Sequence, residues 1–436
     1  MKPVNIGILG LGTVGRGTAE VLRANAAEIS RRLGRAVNVF MVSTRDEAKA
    51  RAACPPETLI TADPFEVVRH PEVDIVAEVF GGTEAAKELV LEAIRHGKHV
   101  VTANKKLLAE YGSEVFALAE EKNVMVQFEA AVAGGIPIIK ALREGLSANR
   151  IRSIAGIING TSNFILSEMR EKGSAFADVL KEAQALGYAE ADPTFDIEGH
   201  DAGHKITIMS ALAFGTPVNF QACYLEGISK LDSRDIKYAE ELGYRIKLLG
   251  ITRKTDKGIE LRVHPTLIPE SRLLANVNGV MNAVRVNADM VGETLYYGAG
   301  AGALPTASAV VADIIDIARL IDADTGHRVP HLAFQPSQVQ AQTILPMDEI
   351  VSSYYLRVQA QDKPGVLGRI ANLLADQNVS IEALIQKGVV NGDTAEIVIL
   401  THSTVEKHVK AAIAGIEGMD TVNGKVTMIR MESLND

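Results

Sequence analysis

The chain has 436 residues, enough for two or three domains, and its 47% hydrophobic and 23% charged residues are typical of a globular protein. Its net charge of −9, without a basic cluster, argues against nucleic acid as a partner. The only cysteines, Cys54 and Cys223, have no metal-ligand spacing, and no apolar run reaches the ~18 residues of a membrane helix. No signal peptide is recognisable, so we expect a cytoplasmic protein with no membrane association.

The N-terminus has the pattern of a dinucleotide-binding unit. Residues 4–9 (VNIGIL) are an apolar run of strand length, and GLGTVG at 10–15 leads into an amphipathic helical pattern. In such a unit the first glycine permits a tight turn, the second lets the backbone approach a pyrophosphate, and the third lets the helix pack on the strand. The predicted cofactor contacts in this motif are Gly10, Gly12, Thr13, Val14 and Gly15.

The end of the second predicted strand, 37–42, bears on the choice of cofactor. An acidic residue at this point favours the free ribose hydroxyl of NAD, whereas a guanidinium suits the 2′-phosphate of NADP. The sequence reads STRD at 43–46, so Arg45 favours NADP and Asp46 keeps NAD as an alternative. Arg45 as a solvated turn residue is a further alternative.

Strand and helix patterns alternate up to residue 130. Runs at 73–80 and 99–102 are of strand type, and 84–96 is of helix type. This alternation predicts a Rossmann-like, doubly wound parallel sheet over residues 1–130. Ligands bind at the carboxyl ends of such strands, so Thr102 and Lys105 are predicted to face the nicotinamide half of the cofactor. The alternative for Lys105 is a helix-start lysine in solvent.

From residue 130 the pattern changes to that of a second, α+β domain over 131–321, which we expect to serve catalysis and dimerisation. AAVAGGIP at 130–137 suits close backbone packing or carbonyl groups that face a cation. Sheet-like runs recur at 151–158, 246–252, 259–265 and 283–288. Glycines at 298–302 precede a helical pattern, so Gly302 is either a cofactor contact or part of a flexible loop. The helix at 304–321 is expected to pack back onto the first domain.

The most informative segment is 187–205, GYAEADPTFDIEGHDAGHK. From residue 188 it holds five carboxylates, two histidines and one lysine, and an apolar run, ITIMSALAF, follows it. Carboxylates that enter an apolar region need partners, and the ammonium group of a ligand would be one. Asp201 and Lys205 are four residues apart and therefore share a helix face. The alternative is a solvated acidic loop before a helix with an ordinary ion pair.

The C-terminal part is predicted to be a separate domain. Residues 322–350 contain three prolines without clean periodicity and are interpreted as a linker. Residues 351–436 have the order βαββαβ, which is typical of a ferredoxin-like unit. They carry no catalytic constellation, so regulation or dimerisation is the expected role.

Together these motifs identify a resemblance that covers the whole chain: it resembles a homoserine dehydrogenase with a C-terminal ACT domain. The segment DKPGVLGRIA at 362–371 is similar to the ACT signature, whose loop commonly binds amino acids. The motifs that carry the resemblance to the dehydrogenase are GLGTVG (10–15), TANKKLLA (102–109), EAAVAGGIP (129–137), GIINGTSNFIL (156–166), the 187–205 segment and GAGAGALPTASAVVADI (298–314).

The resemblance implies roles for individual residues. Lys205 would exchange a proton with the substrate oxygen, Lys105 would reach cofactor and substrate, and Asp201 would belong to the catalytic group. Glu190, Asp196 and Asp201 would hold the substrate, bordered by Gly160 and Thr161. A monovalent cation, expected to be Na⁺, would be bound mostly by backbone oxygens of Glu129, Val132, Gly134 and Ile136.

The implied function is the reversible NAD(P)-dependent interconversion of L-homoserine and L-aspartate 4-semialdehyde, in the biosynthesis of threonine, methionine and isoleucine. Threonine is the expected effector at the ACT domain, and a homodimer or homotetramer the expected assembly. A chain that ends near residue 345 is expected to stay active if the catalytic domains dimerise alone.

Two alternative functions, one enzymatic and one non-catalytic, are also considered. Another dehydrogenase of amino-acid metabolism with this glycine motif, such as an aspartate-semialdehyde dehydrogenase, needs a nucleophilic cysteine. Neither cysteine has an activating context. A non-catalytic sensor of NADP and amino acids would not need the cluster of carboxylates and lysine.

Overall fold

The computed structural model describes residues 2–391 and 394–435, which form two compact units. The first unit comprises residues 1–160, 201–223 and 280–342, and the second comprises 161–200, 224–279 and 343–436. The chain therefore passes between the units several times. The predicted domain boundaries at 130, 321 and 350 stay predictions.

The first unit begins with a doubly wound sheet. Its strands are Val4–Leu9 (β1), Val37–Ser43 (β2), Leu59–Thr61 (β3), Ile75–Glu78 (β4), His99–Thr102 (β5) and Val126–Gln127 (β6). Its helices are Thr13–Ala24 (α1), Ala26–Leu33 (α2), Glu47–Ala53 (α3), Pro64–Arg69 (α4), Glu84–Arg95 (α5) and Lys105–Lys122 (α6). All strands are parallel, in the order β3-β2-β1-β4-β5-β6. The predicted Rossmann-like sheet is confirmed.

Side-chain caps determine where several of these helices begin. The carboxylates of Asp46 and Asp63 and the amide oxygen of Asn104 accept backbone N–H bonds at the starts of α3, α4 and α6. Helix α1 differs, because Gly12 at its N-terminus has no side chain to do this. The first backbone N–H groups of α1 are thus left to a ligand or water.

The remaining elements follow in chain order. The helices up to residue 320 are Ile138–Lys140 (α7), Gly160–Lys172 (α8), Phe176–Ala185 (α9), Thr194–Ile197 (α10), His200–Phe214 (α11), Ser233–Glu241 (α12) and Ala303–Leu320 (α13). The strands over the same range are Ile151–Ile157 (β7), Tyr224–Leu225 (β8), Tyr244–Thr255 (β9), Gly258–Pro269 (β10), Met281–Ala288 (β11) and Gly292–Ala299 (β12). The C-terminal elements are Val351–Gln361 (β13), Val366–Asp376 (α14), Ile381–Asn391 (β14), Thr394–Thr401 (β15), Thr404–Val405 (β16), Glu406–Glu417 (α15) and Thr427–Met431 (β17).

Within the first unit, β11 pairs antiparallel with both β7 and β12. Strand β12 was not predicted, and it includes Gly298 and Ala299, which sequence reasoning had assigned to a loop. Helix α13 spans Ala303–Leu320, each end one residue before that of the predicted helix at 304–321. It packs on α1: Val310, Ile314 and Ile317 share one core with residues of α1 and β1.

In the second unit the C-terminal strands are ordered β17-β13-β15-β14, with α14 and α15 as the connecting helices. This is the strand order of a ferredoxin-like unit, so the predicted βαββαβ domain is confirmed. Strand β17 also pairs parallel with β10, through Thr266 with Arg430 and Leu267 with Met431. The β9–β10 hairpin and the C-terminal strands therefore form one continuous sheet.

Buried ion pairs reinforce this connection. Arg262 on β10 is fully buried, and its Nη2 lies 2.6 Å from Glu432 Oε1 just after β17. The buried carboxylate of Asp235 on α12 accepts bonds of 2.6 and 3.0 Å from Arg357 on β13. Removal of the C-terminal domain would leave Arg262 and Asp235 without these partners. The activity of a chain that ends near residue 345 stays a prediction.

The segment predicted as a linker is also held in place. It contains short 3₁₀ turns at Thr325–His327, Pro336–Gln338 and Met347–Glu349. Its last part continues the second unit: Ile259 N donates to Thr343 O, and Leu345 N donates to Ile259 O, both at 2.8 Å. Over the described residues, no helix has the length and apolar character needed to cross a bilayer.

We expect Arg357→Met to lower the free energy of unfolding by about 3–5 kcal/mol, because it leaves the buried Asp235 carboxylate without its guanidinium partner. Urea denaturation of the full chain measures this. The double variant Asp235→Asn/Arg357→Met should recover most of the loss. Arg32→Met, which removes an exposed ion pair with Glu28, is the control and should change little. A loss no larger than that of the control would show that the buried pair does not stabilise the C-terminal domain.

Candidate functional site

Three predicted catalytic residues meet in the first unit. Lys205 Nζ donates to Asp201 Oδ2 at 2.7 Å and to the carbonyl oxygen of Ile158 at 2.7 Å. Lys105 Nζ lies 2.7 Å from the other carboxylate oxygen, Asp201 Oδ1. The Asp201 carboxylate thus bridges two ammonium groups.

Local structure explains why these side chains meet. Asp201 and Lys205 lie one turn apart on α11, a helix in which every residue from 201 to 214 is buried. Lys105 is the first residue of α6, directly after β5, where Asn104 Oδ1 accepts a 3.0 Å bond from Leu107 N and so fixes the helix start. Lys105 is therefore presented from the carboxyl end of a parallel strand, where ligands of such sheets bind.

The electrostatics of the cluster favour a ligand that carries negative charge on oxygen. Burial alone would raise the pKa of the Asp201 carboxyl, but the charges of Lys205 and Lys105 outweigh it and hold that pKa well below its ordinary value. Asn159 Nδ2 donates a further 2.8 Å bond to Oδ2. The Asp201 carboxylate is thus shared between the ammonium groups of Lys105 and Lys205. The Lys105 side chain is 33% exposed and that of Lys205 is 9% exposed, so Lys105 forms the open side of the cluster.

The other predicted substrate contacts are divided between the units. Gly160 begins α8, and a Cβ there would lie 2.9 Å from the carbonyl oxygen of Val280, so only glycine fits. In the second unit, Thr161 Oγ1 donates to Tyr188 O at 2.6 Å, and the main-chain oxygen of Asp196 accepts a 3.0 Å bond from Ser162 Oγ. Glu190 is exposed. The roles of Gly160, Thr161, Glu190 and Asp196 stay predictions.

The three glycines of the GLGTVG turn differ in their surroundings. Gly10 has a φ of +89°, and a Cβ on it would lie 2.4 Å from Phe80 Cβ. A Cβ on Gly15 would lie 2.0 Å from the carbonyl oxygen of Gly10. Gly12 has no protein atom within 4 Å of such a Cβ, so the space beside it is open at the N-terminus of α1. The fold requires Gly10 and Gly15, whereas Gly12 keeps room for a ligand beside Thr13 and Val14.

A buried carboxylate that sequence reasoning missed holds the neighbouring loops. Glu78 ends β4 fully buried, and burial raises its pKa. It accepts a 2.6 Å bond from Thr102 Oγ1 at the end of β5. Asn104 Nδ2 donates to Gly82 O at 2.7 Å, which ties the loop after β5 to the loop after β4. The sequence signal was an acidic residue inside the apolar run VDIVAEVF.

Two further predicted cofactor contacts lie at the same end of this sheet. Arg45 is exposed directly after β2. The adjacent Asp46 is engaged locally, since its Oδ1 caps α3 through Lys49 N at 3.0 Å and its Oδ2 lies 2.9 Å from Lys49 Nζ. Gly302 has a φ of +125° just before α13, and a Cβ on Gly17 of α1 would lie 2.8 Å from the carbonyl oxygen of Ala303. The start of α13 therefore borders helix α1 close to the glycine turn.

The predicted cation segment has a backbone suited to oxygen ligands. Ala133 and Gly134 are consecutive left-handed residues, with φ of +55° and +45°, and such a pair redirects successive peptide groups. Val132 and Ile136 beside them are buried. In the part of the chain that the structure describes, no group of three or more histidine, cysteine or acidic side chains could hold a metal ion. The predicted cation contacts at Glu129, Val132, Gly134 and Ile136 stay predictions.

The side chain of Glu129 has a structural use in this segment. Its two oxygens accept backbone bonds from Ile139 N at 2.9 Å and Lys140 N at 2.8 Å. Burial raises its pKa to about 7, and burial together with the charge of Glu129 raises that of the adjacent Asp313. Glu129 N also donates to Asp313 Oδ2 at 2.8 Å. A cation held by carbonyl groups near these carboxyls would favour their ionised forms.

Comparison with known proteins assigns the family. Residues 10–129 match the family model described as "Homoserine dehydrogenase, NAD binding domain", residues 137–315 match "Homoserine dehydrogenase" and residues 354–418 match "ACT domain". The chain is 81% identical to the homoserine dehydrogenase of Neisseria gonorrhoeae over the full length of both proteins. The chain belongs to the homoserine dehydrogenase family.

Solved structures agree with this assignment. The crystal structure of a homoserine dehydrogenase from Thiobacillus denitrificans has a TM-score of 0.95 and 63% identity, covering 100% of this chain and 99% of that one. A hyperthermophilic archaeal homoserine dehydrogenase in complex with NADPH has a TM-score of 0.63 and 32% identity, covering 74% of this chain and all of that one. The enzyme is a homoserine dehydrogenase-family oxidoreductase with an NAD(P)-binding domain and an ACT domain. The predicted family, fold and enzyme class are confirmed, and the alternatives of a different dehydrogenase and of a non-catalytic sensor are set aside.

The different surroundings of Gly15 and Gly12 predict different effects of substitution by alanine. Gly15→Ala should lower the melting temperature, because its Cβ would collide with the Gly10 carbonyl oxygen in the backbone. Gly12→Ala should melt like the unmodified enzyme and weaken cofactor binding, because its methyl group would meet only the ligand. Thermal denaturation without cofactor and a fluorescence titration with NADPH measure the two effects. Equal melting losses in both variants would contradict the distinction.

Proposed function

We propose that Lys205, Lys105 and Asp201 form the catalytic centre for the reversible interconversion of L-homoserine and L-aspartate 4-semialdehyde. The observation that carries the proposal is the buried Asp201 carboxylate between two ammonium groups, each 2.7 Å away. Asp201 anchors both lysines, and their ammonium groups suit an oxygen that becomes negative during reduction.

The nicotinamide cofactor, when bound, supplies a hydride for reduction of the aldehyde and accepts one during oxidation of the alcohol. Its phosphates would meet the backbone of Gly12, Thr13 and Val14, and Thr102 and Gly302 would border its other end. As the aldehyde oxygen gains charge, Lys105 stabilises it and Lys205 delivers the proton. In oxidation, neutral Lys205 takes the proton from the homoserine hydroxyl. Asp201, kept ionised by both lysines, positions Lys205 through their 2.7 Å bond.

The substrate is an amino acid, and its ammonium group requires acceptors. Glu190 and Asp196 would provide carboxylates for it together with Asp201, and the Gly160–Thr161 turn would border the substrate. Support comes from the steric requirement for glycine at 160 and from the bond of Thr161 to Tyr188 O, which fixes the turn.

Lys205→Ala should lower kcat by roughly 10²–10⁴-fold in both directions, the usual range for a positioned acid or base. The KM for homoserine should change much less, because the ammonium acceptors are retained. Steady-state kinetics with homoserine and with aspartate semialdehyde measure this. Lys106→Ala serves as the control, because it removes the half-exposed lysine that follows Lys105 in the sequence. Near-normal turnover of the Lys205 variant would refute the proton-transfer role.

NADP is the proposed preferred cofactor, with NAD as the weaker one. Arg45 is exposed at the end of β2, where the adenosine ribose is read in this fold. Asp46, the residue that could have accepted the ribose hydroxyl of NAD, is occupied with capping α3 and pairing with Lys49. The archaeal relative in complex with NADPH is consistent with this preference.

Arg45→Ala should raise the KM for NADP by about tenfold or more, since a charge-assisted hydrogen bond contributes roughly 1.5–3 kcal/mol. The KM for NAD should stay nearly constant, because NAD lacks the phosphate that Arg45 would bind. Parallel kinetics with both cofactors on one enzyme preparation provide an internal control. Equal changes for the two cofactors would show that Arg45 does not read the 2′-phosphate.

A sodium ion is proposed at the segment with the two left-handed residues, bound through oxygens of Glu129, Val132, Gly134 and Ile136. Support comes from the two consecutive left-handed residues of this segment and from the two adjacent buried carboxyls, Glu129 and Asp313, whose pKa values burial raises.

The ACT domain is proposed to bind a small amino acid, threonine, as an effector, and the active assembly is proposed to be a homodimer or homotetramer. The family assignment supports a small-molecule regulatory site in this domain. The turn at 362–365, which the sequence singled out, joins the end of β13 to α14.

A further inference from the structure

Lys247, on β9 in the second unit, is a buried lysine that the catalytic proposal does not use. The residue is 2% exposed. Its Nζ donates to Asn163 Oδ1 at 3.1 Å, to Val277 O at 2.5 Å and to Asn278 Oδ1 at 3.2 Å. All three acceptors are amide oxygens, so in the part of the chain that the structure describes the hydrogen-bond partners of this nitrogen include no carboxylate.

The surroundings of Lys247 disfavour its charge. Burial, and after it the charges of Arg170 and Arg245, lower its pKa to about 7, with Glu171 acting in the opposite direction. Both the ammonium form and the neutral amine can donate hydrogen bonds to these oxygens. An apolar side chain would fill a buried position without this loss of hydration. The residue is therefore better explained by the hydrogen bonds of its nitrogen than by its bulk.

The partner of Lys247 on α8 is the group that attaches this helix to the loop 277–279. Asn163 Nδ2 donates to Val277 O at 3.1 Å and to Gly279 O at 3.0 Å. Ser167, one turn further along α8, accepts a 3.0 Å bond from Gly279 N. With Lys247 donating to Oδ1, the Asn163 amide is held with its NH₂ group towards the loop. The start of α8 is thereby fixed from one side.

The two residues before Asn163 hold a different part of the second unit. Thr161 Oγ1 donates to Tyr188 O at 2.6 Å, and Ser162 Oγ donates to Asp196 O at 3.0 Å. The rings of Phe164 and Tyr188 also pack with centroids 4.9 Å apart. These carbonyl groups lie at the two ends of the segment 188–196. The first turn of α8 thus connects this segment to the Lys247 cluster through three consecutive side chains.

We propose that Lys247 is a positioning residue for the amino-acid substrate, because it fixes Asn163 and, through the first turn of α8, the segment 188–196. The inference rests on the proposed function, in which Glu190 and Asp196 of this segment hold the ammonium group of the substrate. Lys247 itself does not contact the substrate. Its loss would displace the residues that do, and would weaken binding of homoserine more than turnover.

The first experiment is steady-state kinetics of full-length Lys247→Met with homoserine and NADP. The KM for homoserine should rise by about five- to tenfold, as expected for loss of one buried hydrogen bond, while kcat changes less than about twofold. Lys254→Met, the same substitution at an exposed position of β9, is the matched control and should leave both constants unchanged. A lower melting temperature or a lower kcat with an unchanged KM for homoserine would indicate a purely structural role and overturn the proposal.

The second experiment measures the segment directly, by hydrogen exchange and mass spectrometry without ligands. Peptides from 188–196 should exchange about five- to tenfold faster in Lys247→Met, because the bonds that hold this segment open more often. Peptides from α6 should exchange at the same rate in both proteins and provide the internal reference. Unchanged exchange of 188–196 would overturn the proposed connection.

A double-variant cycle tests whether Lys247 acts through Asn163. Asn163→Ala should raise the KM for homoserine to a similar extent, and Lys247→Met/Asn163→Ala should raise it no further than the larger single effect. Additive increases would show that the two side chains act independently and would overturn the proposal. If Lys247→Met does not fold, Asn278→Ala takes its place, because Asn278 is only partly buried and provides one of the three oxygens. Its KM should rise by about twofold, and no rise would overturn the proposal.

Asp196→Asn separates failure of this inference from failure of the proposed function. A raised KM for homoserine in Asp196→Asn, with an unchanged KM in Lys247→Met, would overturn only the positioning role. An unchanged KM in Asp196→Asn and in Glu190→Gln would show that the substrate assignment of this segment is wrong, and the positioning role would be refuted with it.

Discussion

The Asp201 carboxylate is the charge around which the first unit is arranged. A carboxylate buried on an almost wholly buried helix is costly unless cations and donors compensate it. Lys205 from one turn further along α11, Lys105 from the start of α6 and Asn159 from the end of β7 provide that compensation. Each of these three groups belongs to a different helix or strand end. The same bonds that make the buried charge tolerable also place two ammonium groups side by side, so the stability of this region and its chemistry have a single cause.

In the second unit, buried ion pairs likewise connect the C-terminal domain to the rest of the unit. Its C-terminal domain has the outline of an independent module, yet β17 lies against β10, and Arg262, Asp235 and Arg430 find their counter-charges across this boundary. Each of these three side chains is buried. A change in the charges of this domain would therefore act directly on the β9–β10 hairpin and on the residues that follow β8.

Features encoded by neighbouring residues could be predicted from the sequence. The observed bounds of β1 and β5 agree with the predicted runs, and the i,i+4 spacing of Asp201 and Lys205 gave their ion pair. The pairing of Lys105 with Asp201 could be expected only from family resemblance, since nearly a hundred residues separate them. Strand β12 escaped prediction because it is only partly buried and lacks clean alternation. Glu78 was overlooked because its side-chain partner Thr102 lies 24 residues away in the sequence, at the end of β5.

The pairing of β10 with β17 has a consequence for how the enzyme forms during synthesis. One edge of β10 is completed by the penultimate segment of the chain, Thr427–Met431, long after Gly258–Pro269 has left the ribosome. At ~5–20 residues per second, roughly ten to thirty seconds pass between the two events. During that interval the end of β10 at Thr266 and Leu267 lacks its partner strand, and unpaired strand edges can pair with other chains. This end of the β9–β10 hairpin therefore stays open to pairing with other chains until β17 has been synthesised.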